Sequence, residues 1–132
     1  MNPADSLVIK DAVSVALKPN YVKPPAAFTS RIVAVVCAMA VQEGFFKQGS
    51  IPFKNYNPGD LTKWGKHPLF GRFVKFNSII EGFEALGEDI QANKGHTLRS
   101  FINKFAPPTE NNSSNYLAFV SLYTGIKPDE EI

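Results

Sequence analysis

Arg31-Ile32-Val33-Ala34-Val35-Val36-Cys37-Ala38-Met39-Ala40-Val41-Gln42-Glu43-Gly44 is the stretch on which the fold turns. Ile32 to Val41 is an unbroken apolar run of ten residues. Its four valines make a buried strand the competing reading, but its length and its three alanines favour a helix. A helix apolar on every side belongs in the middle of a domain. Gly44 suits the left-handed position that closes such a helix. The run is about half the length needed to cross a bilayer.

Upstream, Leu7, Val8, Ala12, Val15 and Ala16 recur at helical spacing. They predict a short helix over Asp5 to Leu17, then an extended connection through Pro24-Pro25. Residues 1–28 form this leader, and 29–44 the central helix with Thr29 or Ser30 as its cap. Between 45 and 77 the periodicity disappears. Seven Gly and Pro residues punctuate Phe45 to Phe76 around Asn55-Tyr56-Asn57-Pro58-Gly59-Asp60, a core of turn formers. Two extended pieces, near Asp60–Lys63 and Arg72–Phe76, are expected as a small hairpin. A loop lobe this long inside a compact domain usually builds a functional surface.

Ser78-Ile79-Ile80-Glu81 is a capping box and opens a helix that stops near Lys94-Gly95. Thr97 caps another, broken at Ala106-Pro107-Pro108, and Ser113 or Ser114 starts a last one ending at Gly125. The region 78–125 is therefore a helical lobe. The expected class is α+β and mainly helical, one domain over 1–132, with a central buried helix and a small irregular β/loop lobe.

Composition narrows the functions. In 132 residues there are one Cys and two His, which leaves no disulfide framework and no Cys/His zinc site. No metal or cofactor is expected, and Walker, dinucleotide and His-Glu-x-x-His motifs are missing. The formal net charge is only +2. Met1-Asn2-Pro3-Ala4-Asp5 does not open a secretory signal, so a substrate outside the cytoplasm implies another delivery route. Between Lys47 and Lys75 there are six Lys and Arg residues but Asp60 is the sole acid, a skew that favours an anionic polymer. Nucleic acid is disfavoured, because Glu43 and the Asn-Pro-Gly turn have no part in binding it.

Glu43 is the main candidate for chemistry. Burial beside Met39, Phe45 and Phe46, together with the negative end of the helix dipole, should keep its carboxyl protonated. A protonated acid in an apolar cleft is what breaking a glycosidic bond requires. The residues alone leave an ordinary exposed glutamate as the alternative. Trp64 with Phe70 could stack on sugars or pack a local core. His67 and His96 read as surface histidines, Glu110 and Asn111 as helix caps, and Cys37 as an inert buried thiol.

Glu43-Gly44, then Pro52 to Leu61, Phe73 to Phe76, Glu81-Gly82, Ala85-Leu86 and Ala106 to Asn111 with Tyr116 form a pattern over about three quarters of the chain. It resembles a family of small lysozyme-like domains, related to lytic transglycosylases, found in phage particles and bacterial genomes. The resemblance implies a lysozyme-like fold and cleavage of peptidoglycan strands between N-acetylmuramic acid and N-acetylglucosamine. Glu43 would be the catalytic acid. Asn55, Tyr56, Asn57, Gly59, Asp60 and Tyr116 would contact the glycan, with Asn55, Asn57 and Gly59 on the wall opposite Glu43. Tyr56 and Asp60 stand where the family commonly has asparagine. With Glu43 as the single strong acid, transglycosylase chemistry is favoured over hydrolysis. A non-catalytic particle component or glycan-binding module is the rival, with other virion proteins as partners, and chitin an alternative substrate.

Overall fold

The computed structural model describes residues 31–47, 49–93, 95–107 and 112–132. The expected leader helix over Asp5–Leu17 lies outside them, as do Glu110 and Asn111. The described residues are mainly helical with one two-stranded sheet, an α+β arrangement.

Helix α1 spans Arg31–Gln42 and every residue from Val33 to Ala40 is buried. Its apolar circumference is explained by its neighbours. It packs against α5 (Ser113–Thr124) and α3 (Ile79–Ala92), while α4 (Leu98–Phe105) lies on α5. Phe45, Phe83, Leu86, Ile90, Phe101, Ile102, Leu117 and Val120 complete one core. Phe45 meets Phe46 and Phe83 edge-on, with centroids 5.2 and 5.1 Å apart. That geometry suits ring quadrupoles and adds to the burial itself.

The end of α1 is a Schellman motif. Gly44 takes φ +81°. Its N–H donates to Val41 O at 3.0 Å, and Phe45 N–H donates to Ala40 O at 3.0 Å. These bonds satisfy carbonyls that the helix leaves open and swing Phe45 back into the core. Glu43 is thereby fixed at the helix end, one residue before the turn.

The loop lobe differs from expectation in two places. A short helix, α2 (Ile51–Lys54), forms where only turns were foreseen, capped by Ser50 with Pro52 in its first turn. The hairpin pairs β1 (Leu69–Phe70) with β2 (Phe73–Val74), so Leu69 faces Val74 and Phe70 faces Phe73 around Gly71. Asp60–Lys63 is not a strand of that hairpin. Leu61 instead runs beside β2 and accepts one bond from Val74 N–H at 2.8 Å.

The lobe is fastened to α3. Ser78 Oγ accepts from Glu81 N–H at 3.2 Å, as the capping box predicts. The Glu81 carboxylate turns to His67 Nε2 at 2.8 Å, and His67 Nδ1 lies 3.1 Å from Trp64 O. His67 is therefore a half-buried tether rather than a free surface histidine. Trp64 packs with Phe76 and Val74 in a small separate core, which answers the choice between sugar platform and local packing. The C-terminal segment closes the other end. Glu130 O and Pro128 O accept from Leu98 and Arg99 N–H at 2.9 and 2.8 Å, supplying partners for open donors at the start of α4.

Candidate functional site

A groove of about 630 Å³ separates the loop lobe from the helical lobe. Glu43 lines it from the end of α1, and Gly59, Asp60 and Arg72 line it from the loop lobe. On the far side stand Asp89 of α3 and Asn93 at its C-cap, Lys104 of α4 and the Ala106-Pro107 break. This size accommodates a ligand segment.

Burial pushes the Glu43 carboxyl from 4.5 up to about 7. The nearby Tyr116 hydroxyl holds part of that rise down, and the negative charge of Asp60 adds to it. The Asp60 carboxyl is raised from 3.8 to about 6, again by burial, with Arg72 offsetting part of the effect. Two coupled carboxylates with unequal protonation are a common arrangement for paired acid and base work. The Tyr116 hydroxyl is buried, and neither it nor Asp60 Oδ1 has a well-aligned hydrogen-bond partner among the described residues. Tyr116 faces both carboxyls closely enough that its own ionisation is pushed well above the usual range, first by burial and then by Glu43. Its short-range influence on Glu43 without good alignment describes a donor poised near the acid rather than locked to it.

Asp60 is held by backbone geometry. Its φ is +50° and that of Tyr56 is +51°, both uncommon for residues with a side chain. The turn between them is fixed from inside by Asn57. The Asn57 amide nitrogen donates to Leu61 O and to Val74 O, each at 2.9 Å, and its oxygen accepts from Leu61 N–H at 2.9 Å. Asn57 is fully buried and its amide is spent on the loop backbone. It orders the wall of the groove without facing it.

The other expected contacts divide. Glu43, Gly59 and Asp60 come together in the groove, with Tyr116 beside them. Asn55 is buried and lines a second cavity at the hairpin. Tyr56 is exposed outside the groove lining. The reason is local. The turn can aim only part of its residues at Glu43, and the Asn57 amide is needed to hold its shape.

Sequence reasoning passed over the opposite wall. Asn93 Nδ2 donates to Asp89 O at 2.8 Å, and Lys104 Nζ donates to Asn93 Oδ1 at 3.1 Å. Burial raises the Asp89 carboxyl, with Lys104 opposing. The spacing of Asp89 and Asn93, one helical turn apart, was a readable signal that both share a face of α3. Among the described residues no three His, Cys, Asp or Glu side chains gather as a metal-ligand set. No described helix is long and apolar enough to cross a membrane. The chain matches no family model, no curated protein and no solved structure.

Proposed function

We propose that the protein is a lysozyme-like domain that cleaves peptidoglycan glycan strands between N-acetylmuramic acid and N-acetylglucosamine, with Glu43 as general acid. The observation that carries this reading is a carboxyl at the end of the central helix, lining a groove and raised to about 7 by burial. The sequence resemblance supports the same substrate. A neutral Glu43 gives its proton to the bridging oxygen as the bond to the anomeric carbon breaks. Asp60, ionised at a lower pH than Glu43, supplies negative charge toward the oxocarbenium-like centre. It can also take a proton from the attacking water, whose oxygen joins the anomeric carbon. Arg72 helps keep Asp60 ionised, and Tyr116 steadies Glu43.

Two carboxyls in one groove favour hydrolysis over the single-acid route that the sequence suggested. Incubating the protein with sacculi and weighing the soluble fragments tests this. Fragments with reducing ends are expected. Fragments lighter by one water would give Asp60's part to the sugar's own hydroxyl, and release from chitin alone would change the substrate. No release from either would favour the non-catalytic particle or glycan-binding reading. Activity should peak between about pH 6 and about pH 7, where Asp60 is ionised and Glu43 protonated. A rate that keeps climbing above pH 8 would exclude Glu43 as the acid.

A further inference from the structure

The hairpin carries a second cavity, of about 700 Å³, which Glu43 does not line and which shares Arg72 and Phe73 with the groove. Its apolar lining includes Ile51, Phe70 and Phe73, and its cations are Lys54, Arg72 and Lys75. No acidic residue lines it among the described residues. Ile51 and Phe70 are 54% and 66% exposed, unusually open for large apolar side chains. Two of the cations already sit on rings. The Arg72 guanidinium is 5.1 Å from the Phe73 centroid, and Lys75 Nζ is 5.1 Å from that of Phe70. These contacts hold the charged heads beside the apolar floor instead of leaving them to wander in water.

We propose that this face docks an acidic segment of a partner protein that also carries large apolar side chains. A neutral glycan would cover three cations without compensating their lost hydration. A polyanion without apolar groups would leave Ile51 and Phe70 in water. A concave cavity suits a protruding side chain better than it suits a flat lipid surface. Carboxylates on the three cations, with leucine or phenylalanine side chains in the cavity, meet both demands at once. The face does not include Glu43 or Asp60 but borders their groove through Arg72 and Phe73, which line both, and docking does not depend on glycan cleavage.

The test is fluorescence anisotropy with a labelled peptide in which Glu alternates with Leu and Phe. Binding should weaken about 10-fold when Lys54→Glu and Lys75→Glu are combined, and also in high salt. Phe70→Ser should weaken it about 5-fold. Lys54→Gln with Lys75→Gln repeats the charge test without reversing sign, and circular dichroism checks each fold. Glu43→Gln should bind like the parent. The assignment fails if the peptide does not bind, or if Gln-for-Glu or Ser-for-Leu/Phe versions bind equally well. It also fails if an N-acetylglucosamine pentamer, a short oligothymidylate or phosphatidylserine vesicles displace the peptide. Self-association of the protein that the double Glu variant abolishes would give the face to a second copy instead.

Discussion

Glu43→Gln is expected to lower fragment release from sacculi about 10³-fold while the fold and glycan binding persist. The amide fits the same space but has no proton to give to the bridging oxygen. The same change should alter stability in a pH-dependent way. The folded state holds the Glu43 proton up to about pH 7, against 4.5 for the ordinary carboxyl. Folding therefore favours the protonated form, and the parent loses stability as pH rises from 4.5 through about 7. The glutamine variant does not carry that loss. It should exceed the parent by about 3 kcal/mol at pH 8 and match it near pH 4, by urea unfolding at each pH. Cleavage undiminished in the variant would remove Glu43 from the chemistry. A stability difference independent of pH would mean that its carboxyl is not held protonated.

Gly82→Ala separates two effects of opposite sign. In an exposed helix interior the change should stabilise by about 1 kcal/mol, since alanine is the better helix former. Here a Cβ at position 82 would lie 1.8 Å from Tyr56 O and 3.0 Å from Pro58 Cδ. The nearest obstacle is backbone, so neither rotamer change nor side-chain bending relieves it. The Tyr56–Pro58 turn must lift off α3, and a loss of about 3 kcal/mol or more is expected. Denaturant midpoints measure it directly. Because the same turn carries Gly59 and Asp60 to the groove, any folded Gly82→Ala protein should also cleave poorly. A variant as stable as the parent would show that the turn can move off α3 at no cost.

These residues also show how far sequence could lead. The central helix was legible because ten apolar residues exceed the length of an ordinary strand and end in Glu43-Gly44. The caps at Ser78 and Thr97 were legible because each hydroxyl serves an N–H three residues on, a local relation. The hairpin was misplaced because two-residue strands have no period to detect, although Gly71 between Phe70 and Phe73 marks the turn. Asn57 was expected as a sugar contact because the resemblance implies one and its amide suits it. Only the arrival of Val74, seventeen residues later, shows where its amide is spent. The proximity of Asp60 and Tyr116 to Glu43 is tertiary in the same sense. A glycine inside a helix, as at Gly82, is the one local sign that another backbone comes close.

Cys37 lies 2% exposed in the middle of α1, and burial pushes its thiol up to about 12. In the native state it offers reagents neither access nor thiolate. Alkylation must therefore wait until the central helix leaves its neighbours, so labelling of this one sulfur acts as a built-in clock for opening of the whole domain. Substrate analogues that grip the groove should slow that clock, whether or not any bond is cut.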